Sequence, residues 1–171
     1  MYVGLSFYSL TGCQSATSTW KPLATPIAAP DFTLPALTGD PVTLSGLRGQ
    51  VVVMEFWATW CGPCQYSGPS LEIISQRFRG RGVIVLLVNK GERADAVRAW
   101  ARGRFTTPIL LDEHEHVAAL YGIRAIPQLF IIDQDGNIRY AESGYAGGLE
   151  RNLSSILNQL LTTHQTMTHG G

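Results

Sequence analysis

Cysteine is scarce in this chain, three among 171 residues, and charge is thin, with 13 Lys and Arg balanced by 13 Asp and Glu. No basic run occurs anywhere. Phosphate backbones require clustered cations, so nucleic acid is not an expected partner. No apolar run reaches the roughly 18 residues that a spanning helix needs. A second CxxC pair is missing, and with it the usual four-ligand metal site. No internal repeat is visible. What remains is ordinary globular composition, 45% hydrophobic, at a length that suits one domain with a sizeable core and some loose length at the ends.

The ends read differently from the middle. Residues 1–12 carry no charged side chain and are mostly apolar, like the central region of an export signal. Leu10-Thr11-Gly12-Cys13 resembles a bacterial lipobox, in which the chain is cut before the cysteine and that cysteine is acylated. The departure is the absence of a preceding Lys or Arg. Acylation of Cys13 would leave no odd thiol in an oxidising compartment. Residues 14–30 are rich in Ser, Thr, Ala and Pro without a period, and read as a tether. Residues 162–171 are polar and unpatterned, and read as a disordered tail.

Between them, residues 31–161 are expected to form the domain. Asp31–Leu34 and Val42–Leu44 predict two short strands about a Thr38-Gly39-Asp40-Pro41 turn. Val51–Trp57, VVVMEFW, is a β-branched and aromatic run of the kind buried on both faces of a sheet. A helix is expected from the Cys61-Gly62-Pro63-Cys64 segment, since Pro63 suits a first turn, with Leu71, Ile74 and Phe78 as its apolar stripe and Gly80 as its stop. Further elements are predicted as a strand over Val83–Val88, a helix over Glu92–Arg104, a strand over Ile109–Leu111 and a helix over Glu113–Tyr121. Strands over Gln128–Ile132 and Ile138–Ala141 flank the hairpin signal Asp135-Gly136. Leu149, Leu153, Ile156, Leu157 and Leu160 stripe a closing helix. Such alternation implies a mixed sheet covered on both faces, a three-layer α/β/α sandwich.

The chemistry concentrates in FWATWCGPC, residues 56–64. A structural disulfide between residues three apart closes a tiny loop and removes little unfolded-state entropy. At the junction of a buried strand and a helix, however, free N–H groups and the helix dipole favour an anion. The thiol of Cys61 is therefore expected to ionise readily and attack disulfides, and Cys64 to resolve the mixed disulfide. Glu55 lies inside the apolar strand on the same side as Val53 and Trp57. Burial would raise its pKa and suit it to exchange a proton with Cys64. Trp57 and Trp60 flank the dithiol and are expected to shield it.

FWATWCGPC resembles the thioredoxin active site, and residues 29–161 resemble the TlpA/ResA-like thiol–disulfide oxidoreductases of the bacterial envelope. The likeness includes APDFTLPALTGDPVTLSGLRGQVVV, Pro69 in the active-site helix, and Ile126-Pro127, which matches the family's cis-proline beside the dithiol. The 63 positions from Cys64 to Pro127 exceed thioredoxin's by about twenty, which implies the extra strand and helix of the TlpA type. Two departures stand out. Ser67 occupies a position that is acidic in some ResA-like proteins, and Glu55 occupies that of thioredoxin's buried aspartate.

The resemblance implies a membrane-anchored reductase of protein disulfides facing the periplasm or another extracytoplasmic space. It implies no organic cofactor beyond the Cys61–Cys64 couple, disulfide-bearing client proteins, a membrane electron donor of the DsbD/CcdA type, and a role in cytochrome c maturation. Cys61, Cys64 and Glu55 would carry the chemistry, supported by Trp60, Gly62, Pro63, Ile126 and Pro127. Two alternatives stand beside it. A copper or other metal chaperone on the same fold, using Cys61, Cys64 and a histidine, is disfavoured because no His or Met is placed near the dithiol along the chain. A thiol peroxidase is disfavoured because Thr59-Trp60-Cys61 lacks a Pro-Thr-x-x-Cys arrangement. Asp112-Glu113-His114-Glu115-His116 reads as a helix cap and solvated face, the two histidines pointing apart. His164 and His169 fall in the tail, and Trp20 and Trp100 read as packing residues.

Overall fold

The computed structural model describes residues 20–168 except 146, and the side chains of 164–168 are outside the description. Among the described residues, eight strands and four α-helices follow one another: β1 Ile27–Ala28, β2 Thr33–Leu34, β3 Val42–Thr43, β4 Val51–Trp57, α1 Cys64–Arg77, β5 Val83–Lys90, α2 Ala94–Ala101, β6 Ile109–Asp112, α3 His116–Leu120, β7 Gln128–Ile132, β8 Asn137–Ser143 and α4 Leu149–Thr168. Six strands form one sheet in the order β1-β8-β7-β4-β5-β6, and β2 pairs with β3 alone.

β4 forms where it was predicted, and its composition explains its place. All seven residues are buried, because β5 pairs with it in parallel on one side and β7 antiparallel on the other. Val53 and Trp57 face a core built with Leu71 and Ile74 of α1, Val97 of α2, and Leu153 and Ile156 of α4. Met54 and Phe56 face a second core with Phe32, Leu44 and Val117 of α3. Helices on one face, sheet, then α3 with the β2–β3 hairpin on the other make the expected three layers. Between Cys64 and Pro127 the chain makes two strand–helix units, β5–α2 and β6–α3. They accommodate the surplus over thioredoxin, and β6 closes one edge of the sheet.

Several expectations fail for identifiable reasons. The tether predicted over residues 14–30 does not describe its second half. Trp20 packs against the first core, the Leu23 N–H donates to the Arg139 carbonyl at 2.7 Å, and β1 pairs with β8. Ala and Pro there cover an exposed sheet edge rather than span solvent. The tail expected from residue 162 continues α4 to Thr168, since no Gly or Pro interrupts it. α3 is shorter than Glu113–Tyr121. Asp112 stays in β6 and its carboxylate accepts the N–H groups of Val117 (3.2 Å) and Ala118 (2.7 Å), while Glu115 takes a left-handed φ of 58°. His114 consequently lies outside the helix, and its ring approaches that of His116 at 5.8 Å rather than pointing away.

Candidate active site

β4 ends at Trp57 and α1 begins at Cys64, so the intervening loop sits at the carboxyl end of the central strand. The Cys61 N–H donates to the Ala58 carbonyl at 3.1 Å. Glu92, ahead of α2, clamps the loop from outside. Its carboxylate accepts the Thr59 N–H at 2.7 Å, the Thr59 hydroxyl at 2.5 Å and the Asn89 amide at 2.7 Å.

Cys61 and Cys64 are joined as a disulfide, S–S 2.08 Å. The Cys64 N–H, at the head of α1, donates to Cys61 Sγ at 3.3 Å. An N–H and a helix N-terminus directed at this sulfur stabilise negative charge on it. Pro63 precedes the helix with φ −59°, a conformation its ring already favours. Gly62 is exposed. Within α1, Gly68 lies against Phe105, where a Cβ would fall 3.1 Å from the ring.

Glu55 lies beneath this turn, 2% exposed. It borders the same narrow space as Cys64, Trp57, Gly68 and Trp100. Ser67, one turn into α1, donates its hydroxyl to Glu55 Oε1 at 2.8 Å and lies 3.2 Å from the Cys64 carbonyl. Desolvation pushes the Glu55 pKa up to about 8, with the Ser67 hydroxyl pulling the other way. The acid is thus poised to change charge near neutral pH.

Trp57 and Trp60 do not shield the dithiol as a pair. Trp57 is 3% exposed and packs on Trp100 at 4.6 Å, whereas Trp60 is 70% exposed. Trp60 instead borders a cavity of about 230 Å³ with Lys90, Arg124, Ala125 and Ile126. That cavity places the Ile126-Pro127 segment, whose peptide bond is cis, next to the dithiol loop. Tyr66 and Tyr145, both exposed, stack at 5.9 Å. Cys13 lies outside the described residues. Among the described residues no three His, Cys, Asp or Glu side chains converge as metal ligands.

Cys61, Cys64 and Glu55 therefore lie together, and Ile126 borders the cavity beside Trp60. Sequence reasoning missed Glu92, whose partner Thr59 is 33 positions away. Ser67 was visible only as a departure from an acidic position, and the Tyr66–Tyr145 pair carried no signal at all.

A mixed sheet that presents a CxxC disulfide at the head of its first long helix defines a thioredoxin-like thiol–disulfide oxidoreductase. The chain belongs to the AhpC/TSA family, which matches residues 27–141. It is 36% identical over 131 residues to the thiol-disulfide oxidoreductase ResA of Geobacillus kaustophilus (strain HTA426), covering 75% of each chain. Among solved structures it is similar to the exposed lipoprotein thioredoxin Etrx1 of Streptococcus pneumoniae strain TIGR4, with TM-score 0.67, 28% identity, and 77% of this chain and 100% of that one covered. A thiol:disulfide interchange protein of the thioredoxin family from Chlorobium tepidum TLS gives TM-score 0.70 at 25% identity, covering 81% of this chain and 98% of that one.

Proposed function

We propose that this oxidoreductase works as a reductase of protein disulfides, held at the outer side of a bacterial membrane through Cys13. The observation that carries the chemical part is the Cys64 N–H directed at Cys61 Sγ above the buried Glu55. Reduced Cys61 attacks a client disulfide as the thiolate, forming a mixed disulfide and releasing one client sulfur as thiolate. Cys64 then gives its proton to the Glu55 carboxylate and attacks Cys61 Sγ. The client's second sulfur leaves, and the Cys61–Cys64 disulfide closes. Two electrons pass from the dithiol to the client, and each client thiolate takes up a proton.

Trp60 and Ile126, next to the buried cis Pro127, border the groove beside the dithiol loop in which an extended client segment would lie. Gly62-Pro63 is the dipeptide of reducing thioredoxins, which favours this direction. A membrane dithiol donor of the DsbD/CcdA type would restore the reduced state, and apocytochrome c is one candidate client. Support for the anchor is the Leu10-Thr11-Gly12-Cys13 stretch and the likeness to an exposed lipoprotein.

The test is a Cys64→Ser variant expressed in a bacterial envelope. It should accumulate mixed disulfides through Cys61, and the clients found should be thiol-bearing extracytoplasmic proteins. Turnover of hydrogen peroxide at rates matching disulfide reduction would favour a peroxidase instead. Mass spectrometry of the mature N-terminus should show an acylated Cys13, and an intact Met1 in a soluble fraction would refute the anchor.

A further inference from the structure

Glu55 takes a proton in a place that bulk water does not reach, and the proton must leave before the next cycle. The sheet register shows a way out. Glu55 of β4 pairs with Leu129 of β7, and Leu129 pairs with Glu142 of β8. Residues directly opposite in a ladder share a face, so both carboxylates stand on the α1/α4 side of the sheet. Two ladders separate them by about 10 Å. Between them lies a cavity of about 30 Å³ bordered by Glu55, Ser67, Glu142 and Tyr145. A space of about that volume admits one water, provided polar groups face it. Here two carboxylate-bearing residues, Glu55 and Glu142, and three hydroxyl-bearing ones, Ser67, Ser143 and Tyr145, border it.

Ser67 is suited to the inner end of such a path. While Glu55 is ionised, the Ser67 hydroxyl donates to it. Once Glu55 is protonated, its own O–H can donate to Ser67 Oγ, and Ser67 can turn to the Cys64 carbonyl 3.2 Å away. Both protonation states are thereby satisfied without moving the backbone. Glu142 is partly exposed at the outer end, and desolvation holds its pKa above the ordinary carboxylate value. Its strand is fixed by the Gln128 amide, which donates to the Glu142 carbonyl at 3.1 Å. The remaining residues that border the cavity are Trp20, Leu129, Gly144 and Leu149. Among these described lining residues there is no Lys, Arg or His, so neither acid is neutralised by a cation across the cavity.

We infer that Glu142 is a positioning residue for proton release: the proton that Cys64 gives to Glu55 passes by Ser67 and a water in this cavity to the Glu142 carboxylate, and from there to solvent. The path runs in reverse when the disulfide is reduced. Tyr145, whose ring stacks on that of Tyr66, borders the cavity. This inference rests on the assignment of Glu55 as the acid that serves Cys64.

The experiment follows the reduced full chain mixed with a disulfide-containing peptide in stopped flow, using tryptophan emission to separate mixed-disulfide formation from its resolution. Wild type is compared with Glu142→Gln, Glu142→Asp, Glu55→Gln and the double Gln variant across pH. For Glu142→Gln, unchanged attack by Cys61 is expected. At pH 7 Glu55, with a pKa of about 8, must first lose a proton along this path before it can accept that of Cys64, so resolution should slow roughly three- to tenfold. Small permeant buffers such as formate or imidazole should restore it. Glu142→Asp should retain most of the wild-type rate, and the double variant should be no slower than Glu55→Gln. Slowing in Glu142→Gln without buffer rescue or coupling to Glu55 would show a structural role and overturn the inference, as would an unaltered resolution rate. No effect of Glu55→Gln on resolution would instead remove the assignment beneath it.

Discussion

Ser67 Oγ lies 2.8 Å from Glu55 Oε1 and 3.2 Å from the Cys64 carbonyl oxygen, so one hydroxyl touches both the buried acid and the turn that carries the second cysteine. It opposes the desolvation that raises Glu55. Ser67→Ala should therefore raise the Glu55 pKa beyond about 8. At neutral pH less carboxylate would be present to accept the Cys64 proton. Resolution should slow roughly two- to fivefold at pH 7 and recover at higher pH. The pH profile of that single step checks it, and a profile identical to wild type would exclude Ser67 from tuning the acid.

Glu55 also carries a stability signature. Its folded pKa of about 8 exceeds the ordinary 4.5. Between these values the folded state holds a proton that the unfolded state has released, so stability falls as pH rises through this window. Below it the penalty is absent, and above it the penalty is complete. Glu55→Gln removes the titration. The oxidised variant should exceed wild type by about 3 to 5 kcal/mol at pH 9 and converge toward it near pH 4. Urea titrations at the two pH values measure the difference.

Glu72 has the opposite sign. Desolvation acts upward, but hydrogen bonds from Thr106, Thr107 and Gln76 more than reverse it and hold the pKa at about 2. These bonds fasten α1 to the segment that enters β6. Stability from this carboxylate is complete above its unfolded value of 4.5 and disappears as pH falls through about 2. Glu72→Gln should cost about 2 to 3 kcal/mol at pH 7 and almost nothing at pH 2. Thermal unfolding across that range tests it.

Cys61 should be the first thiol alkylated in the reduced protein near neutral pH, because its sulfur receives the Cys64 N–H at the helix head. Peptide mapping after brief iodoacetamide treatment reads the order. Faster labelling of Cys64 would reverse the assignment of nucleophile and resolving cysteine.

Local chemistry is what the amino-acid sequence displays most openly here. The apolar run of β4, the CGPC turn and the Asp135-Gly136 hairpin each sit within a few residues of their own cause. Glu55 stood out as an acid in an apolar strand, and its burial followed. Glu92 did not stand out. It reads as the first residue of a helix, yet its carboxylate is committed to Thr59, and α2 begins at Ala94. Asp112 misled in the same manner, since its capping bonds reach five and six residues ahead from within a strand. Glu142 alternates along β8 like any half-exposed polar residue. Only the pairing of three strands, distant in sequence, sets it in a row with Glu55.

The docking of Trp20 and Leu23 and the pairing of β1 with β8 also alter the scale on which the protein would work. Were residues 14–30 all free, about 17 extended residues would allow a reach of roughly 55 Å from a lipid on Cys13. With the chain seated from Trp20 onward, seven steps remain, a leash of at most about 25 Å. The domain would then sample a shell near the bilayer little deeper than its own radius. A shorter leash concentrates the dithiol against whatever shares that shell. A membrane donor would be met often, and a client would be met chiefly when it, too, is held close to the lipid.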